Sequence, residues 1–123
     1  MTRRYIAQNP SRPFSDAVLL DEKSLYISGR IGLKPGTEEV PESGEEEAHI
    51  LMRDFVQVLE LAGMTTNDLV SVQVFSPDVS LWAQFNAVYR QYFSGILPPR
   101  AFLGSGPLLF GAHFEMMGVA IKD

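Results

Sequence analysis

The chain contains no cysteine. That excludes disulfides, a catalytic thiol and any thiolate metal site. No apolar run approaches the ~18 residues that a membrane-crossing helix needs. The opening MTRRYIAQNP has a basic pair with no apolar segment behind it. No secretory signal is therefore expected, and the cytoplasm is the expected compartment. Cations are scarce too: ten Lys and Arg stand against fifteen Asp and Glu, for a formal net charge of -5. They are scattered along the chain, whereas phosphate recognition needs them clustered, so nucleic acid is not an expected partner. His49 and His113 are the two histidines, and neither has ligand-like spacing to a partner; no metal is expected. The glycines of GSGPLLFG match neither a P-loop nor a GxGxxG turn, and they read as turn and packing glycines. Ser28 lies outside a GxSxG elbow, and no Ser-His-Asp grouping is evident.

What is present suits a soluble globular chain. At 123 residues, 46% hydrophobic and 20% charged, residues 1–123 read as one domain with a core of its own. A domain this small also gains from association.

AVLL (17–20) and SLYISGRI (24–31) predict strands, with DEK between them as a polar turn. Six glutamates between positions 38 and 47 predict a solvated loop and helix start. Ser43 with Glu46 three residues on is a capping-box pattern. Ala48, Met52, Phe55, Leu59 and Ala62 then recur at helical spacing, and Gly63 is a natural stop. In DLVSVQVF, Val70, Val72 and Val74 alternate with Ser71 and Gln73, the pattern of a strand with one drier face. A second helix is predicted over 79–93, with Leu81, Phe85, Val88 and Tyr92 as its apolar stripe. Strands around 100–105 and 113–121 complete a β-β-α-β-α-β-β order, with room for one more short strand at the N-terminus.

Two helices cover only one face of such a sheet, yet the strands are apolar on both parities. In the last strand Phe114, Met116 and Ala120 point one way, and Met117, Val119 and Ile121 the other. The uncovered face predicts an interface, and hence an oligomer with sites between subunits.

Arg100 and Glu115 are the candidate catalytic pair. Each interrupts an apolar stretch, LPPRAFL and HFEMMGVA, where an ionised group is costly unless paired or in a wet pocket. Pairing of strands adjacent in sequence would bring the two together. One reading is an ion pair bridging the interface. The other has chemical content: arginine captures a carboxylate through two parallel donors, and a nearby carboxylate in a dry cleft positions and deprotonates water.

The chain resembles the reactive intermediate deaminase (Rid, or YjgF) family, an endoribonuclease L-PSP-like group. The resemblance rests on PFSDAV (13–18), LYISGRIGLKPGTEEVP (25–41), LELAGMTTNDLVSVQVF (59–75), FNAVYRQYF (85–93) and PPRAFLGSGPLLFGAHFEM (98–116), five blocks in the family's order. It implies an α+β fold like trimeric-type chorismate mutase, with a mixed sheet, two helices on one face and homotrimers with interfacial clefts. It implies hydrolysis of 2-aminoacrylate-type enamines and other 2-imino acids to 2-keto acids and ammonia, without a cofactor. The implied partners are a small 2-imino or 2-keto acid and two further copies of the chain, with no nucleic acid and no membrane. A ribonuclease activity assigned to some relatives is disfavoured by the acidic charge.

By position, Arg100 corresponds to the arginine that holds the substrate carboxylate and Glu115 to the acid that orders water. Ser28 and Gly29 correspond to the Ser-Gly lining the cleft. Asn86 corresponds to an asparagine near it, or else is a buried polar group tying helix to loop. Three positions depart from the family pattern. Phe14 replaces a frequent tyrosine and removes a hydroxyl, which favours a non-catalytic binder of small carboxylates or keto acids as the alternative. Phe102 replaces a small residue or cysteine and narrows the pocket. Arg30 replaces a frequent glutamine beside the Ser-Gly.

Overall fold

The computed structural model describes residues 1–7 and 9–123. Six strands form one sheet: β1 (Arg3–Ile6), β2 (Ala17–Leu20), β3 (Ser24–Ile31), β4 (Leu69–Ser76), β5 (Arg100–Gly104) and β6 (Glu115–Ile121). Their order across the sheet is β1-β2-β3-β6-β4-β5. Only β4 and β5 pair in parallel. Two helices, α1 (Gly44–Leu61) and α2 (Trp82–Tyr89), share one core with the sheet, built around Phe55, Phe85, Phe114 and Met116. This is the expected mixed sheet with both helices on one side.

Local chemistry explains the helix ends. Ser43 Oγ accepts from the Glu46 N–H at 3.2 Å, and Glu45, Glu46 and Glu47 occupy the positive first turn of α1. After the Ala62 cap, Gly63 takes φ +72°, a left-handed turn that suits glycine. The predicted apolar stripe of α1 is fully buried. The predicted second helix occupies its expected span in three pieces, with 3-10 turns at Val79–Leu81 and Arg90–Tyr92 flanking α2. Asp78 Oδ1 accepts from both the N–H and Oγ of Ser80, which tightens the first of those turns. Phe85, Val88 and Tyr89 form the buried face of α2.

Four expectations need correction. Val70 does not join the dry face of β4. Leu69 lies opposite Ala120 and Ser71 opposite Val119, so Val70 is the extra residue of a bulge, 43% exposed, and Leu69 takes its place in the core. Tyr92 is only half-buried, and Tyr89 takes the place expected for it in the core. Glu47 is not solvated with its neighbours in the acidic run. It is completely buried, because its carboxylate accepts from the N–H groups of His113 and Phe114 at 2.7 and 3.2 Å and contacts His113 Nδ1 at 2.8 Å. Finally, β5 and β6 do not pair. The α2 crossover places β5 parallel beside β4, and β6 returns antiparallel on the other side of β4.

A second bulge shapes the molecule more deeply. Ile27 faces Gly118 and Arg30 faces Met116, so β3 spends three steps where β6 spends two. The extra residue falls at Ser28–Gly29. Leu25 and Ile27 point into the core by simple alternation, and the bulge then reverses parity so that Arg30 turns inward, 4% exposed. The uncovered face of the sheet is apolar as expected, with Tyr26 51%, Met117 40% and Ile121 41% exposed.

Candidate active site

Arg100 opens β5, an edge strand, directly after Pro98 and Pro99 and opposite Val72. Shared register with buried Val72 turns its side chain toward α2. There Nη2 donates to Asn86 Oδ1 at 2.6 Å. The guanidinium carbon lies 4.7 Å from the Tyr89 ring centroid, with Phe102 at 5.7 Å and Phe85 at 5.8 Å. No carboxylate forms an ion pair with it among the described residues. Burial pulls the Arg100 pKa below its ordinary value, Tyr89 opposes this and the charge of Arg90 adds to it. The group stays cationic regardless, because guanidinium does not deprotonate in proteins. Burial likewise pushes the Tyr89 phenol up to about 12, and its hydroxyl has no hydrogen-bond partner among the described residues.

Glu115 begins β6 opposite Ile31 of β3 and Phe75 of β4. It alternates with buried Met116 and so points to the side of the sheet away from the core. Its carboxylate lies against the backbone of Gly29, where a Cβ would overlap Oε2. A side chain at position 29 would displace the carboxylate from where it stands. Glu115, Ser28, Gly29 and Phe14 line one groove of about 920 Å³, whose far wall carries Arg53, Leu33 and Phe110. Phe14 and Ser28 also border a shallower depression on the uncovered face, beside Tyr26 and Met117.

The predicted site residues thus fall into two groups. Arg100, Asn86 and Phe102 stand together at the β5 edge, and Asn86 ties helix to strand through Arg100 itself. Phe14, Ser28, Gly29 and Glu115 stand together at the β3–β6 end. Two strand spacings and three residues of offset separate Arg100 from Glu115, on the order of 14 Å between Cα atoms. They also face opposite sides of the sheet, so one chain does not bring them together.

Arg30 was marked in the sequence only as a departure, yet it anchors the second group. Its Nη1 donates to Asp16 Oδ1, while Nε and Nη2 donate to Asp54 Oδ2 and Oδ1 at 2.6 and 3.2 Å. Burial pulls its pKa down, but the hydrogen bonds and charges of Asp54 and Asp16 outweigh that and hold it above the ordinary range. Beside it, the Ser28 N–H donates to Asp16 O at 2.9 Å, and Ser28 Oγ donates to Ser15 O at 2.6 Å. The available signal was Arg30 interrupting YISGRI just as Arg100 interrupts its own strand. Its partners lie 14 and 24 residues away, beyond any local pattern. Among the described residues no group of three or more His, Asp or Glu side chains is placed to hold a metal ion, and no helix is long and apolar enough to cross a membrane.

The geometry defines a small α+β protein with a half-buried arginine that no acid faces among the described residues, at one sheet edge, and a carboxylate set against glycine backbone at the opposite face. The family described as endoribonuclease L-PSP matches residues 6–122. The 2-iminobutanoate/2-iminopropanoate deaminase of Mus musculus is 33% identical over 111 residues, covering 89% of this chain and 82% of that protein. Its counterpart from Homo sapiens is also 33% identical over 111 residues, covering 89% and 80%. The crystal structure of RidA from an Antarctic Psychrobacter species superposes with a TM-score of 0.85 at 28% identity, covering 94% of each chain. That of yeast Mmf1 gives 0.89 at 25% identity, covering 99% of this chain and 100% of the other. The chain belongs to the endoribonuclease L-PSP family, the RidA/YjgF proteins.

Proposed function

We propose that the protein is an imine/enamine deaminase acting on small 2-imino acids in sites shared between subunits of a homotrimer. The observation that carries this reading is Arg100, a partly desolvated guanidinium with no acid of its own among the described residues. A substrate carboxylate supplies the missing anion through two charge-assisted hydrogen bonds. Asn86 holds the fork in place, and the Tyr89 and Phe102 rings exclude water around it. Glu115 of an adjacent copy takes a proton from water as the water oxygen bonds to the imine carbon, C2, and the C=N π pair moves to nitrogen, which takes up a proton. The resulting carbinolamine is protonated on nitrogen by Glu115, its hydroxyl gives up a proton as the C=O bond forms and the C–N bond breaks, and ammonia leaves a 2-keto acid. An enamine enters the same route after tautomerising to the imine. The apolar, uncovered sheet face supports association, and the relatives named as 2-iminobutanoate/2-iminopropanoate deaminases support the chemistry. Phe14, which lacks a hydroxyl beside Glu115, favours the second reading, a non-catalytic binder of small carboxylates in the same cleft.

Subunit mixing tests both points. Arg100→Met and Glu115→Gln are each expected to lose most turnover of imines generated in situ by an amino-acid oxidase and followed by semicarbazide trapping. When the two variants are refolded together in equal amounts, about a quarter of the sites draw both intact halves from different chains, and that share of activity should return. No recovery in well-formed mixed trimers would sink the shared site. A wild-type trimer that binds 2-oxobutanoate without hydrolysing any imine would establish the binder instead.

A further inference from the structure

Arg30 sits one residue beyond Gly29, is almost fully buried, and joins three parts of the chain. It reaches Asp16 at the end of the segment that carries Phe14 and Ser15, and Asp54 in the middle of α1. Asp16 in turn accepts the Ser28 N–H through its backbone carbonyl. Arg12 approaches the same Asp16 carboxylate at 3.8 Å and lies over the Phe14 ring at 5.9 Å. Bulged backbone lacks the full ladder of a regular strand and needs hydrogen bonds from elsewhere to hold one conformation. Here they come from the Asp16 segment, whose position is set by the guanidinium. The Glu115 carboxylate rests against Gly29, so the bulged backbone forms one wall of the place where it stands, and a shift of the bulge moves that wall.

We propose that Arg30 is a positioning residue for the water-activating half of the site: clamped between Asp16 and Asp54, it locks the Ser28–Gly29 bulge and so sets where the Glu115 carboxylate stands. This rests on the deaminase reading for its consequence in catalysis, but not for its structural content. A planar fork spans two carboxylates in fixed directions, whereas an ammonium is a point charge on a flexible stem. The charge of Arg30 is therefore insufficient, and its shape is the requirement. Arg100, which stands in the other half-site, is not reached by this network. Loss of the lock lowers turnover and leaves carboxylate affinity alone.

Arg30→Lys keeps the buried cluster's charge and provides the test, with Asp54→Asn as the second variant should the first fail to assemble. Four quantities are read: kcat and KM for an imine generated in situ, the affinity for 2-oxobutanoate by calorimetry, and amide hydrogen exchange along β3. The expected result is a fall in kcat of about 10- to 100-fold, the scale of a small misplacement of a reacting group. KM and 2-oxobutanoate affinity should stay within about twofold, and exchange should quicken at Ser28–Ile31 only. A kcat within about twofold of wild type overturns the proposal. Parallel loss of kcat and 2-oxobutanoate affinity overturns it as well, as does faster exchange throughout the sheet, since either marks general loosening. If the wild-type protein hydrolyses no imine, the deaminase reading fails separately. Exchange then decides alone, with local acceleration supporting the lock and an unchanged pattern overturning it.

Discussion

Two arginines are withdrawn from water in this molecule, and they are furnished in opposite ways. Arg30 is the more buried, yet it has two carboxylates and three hydrogen bonds to them. Arg100 is only half-buried, and it has one neutral amide and a set of aromatic rings. Desolvating a cation is costly, and a fold that needs the charge only for itself supplies counter-charges, as it does around Arg30. Among the described residues no counter-charge faces Arg100, a standing cost that an incoming anion would relieve. The comparison separates a guanidinium that completes the structure from one that, on the proposed reading, waits for a ligand.

The comparison breaks most sharply if Arg100 behaves like an internal ion-pair partner. Arg100→Lys keeps the charge and loses the fork. One charge-assisted hydrogen bond is worth roughly 1.5–3 kcal/mol, so kcat/KM should fall about 10- to 150-fold while the melting temperature changes little. Normal 2-oxobutanoate binding in this variant would remove the carboxylate clamp. A somewhat smaller effect is expected when Arg100 is made to resemble Arg30. Asn86→Asp places an acid on the guanidinium that already bonds position 86. The new internal partner competes with the ligand, so 2-oxobutanoate should bind about tenfold more weakly, ~1.4 kcal/mol, with stability equal or higher. Unchanged affinity in calorimetry would show that the anion binds elsewhere.

The smallest effect concerns Tyr89, whose ring lies over Arg100. Its folded pKa of about 12 exceeds the value near 10 of an unfolded tyrosine. The stabilisation is fully present below pH 10, where both states hold the proton. It is lost between pH 10 and about 12, as the unfolded chain releases its proton first. Tyr89→Phe abolishes that slope, so the stability of wild type relative to the variant should fall over this interval in urea titrations. At neutral pH the variant should be equally stable or up to ~1 kcal/mol more so, because it removes a hydroxyl without a partner. Parallel curves for the two proteins across pH 8 to 12 would contradict the burial of the phenol.

The parts of this fold that were legible in the sequence are those governed by near neighbours. The alternation of AVLL and SLYISGRI and the three- and four-residue steps of α1 each depend on contacts made by every second or every third and fourth side chain, and both strands keep their expected ends. Legibility ended where one residue changes phase or where partners are remote in the chain. Nothing local marks Val70 as a bulge. Glu47 looks like its solvated neighbours until His113 and Phe114, more than sixty residues away, bring their N–H groups to it. The two groups of predicted site residues follow the same rule. Arg100 and Glu115 were conspicuous as charges in apolar strands, but the inference that their strands pair failed, because β4 stands between them.

The extra residue at Ser28–Gly29 has a consequence for how this chain tolerates changes of length. β3 is in effect two short strands spliced out of step, as if an ancient insertion had been absorbed by the sheet and never removed. Every residue before the splice keeps one reading frame of in and out, and every residue after it keeps the other. A deletion of either residue would not merely shorten the strand. Arg30 would keep its place opposite Met116 and its inward direction by plain alternation, but the bulged backbone at Ser28–Gly29, against which the Glu115 carboxylate lies, would be gone. The sheet itself could close up without the extra residue, and what the shorter strand would lose is the shape of the groove beside Glu115.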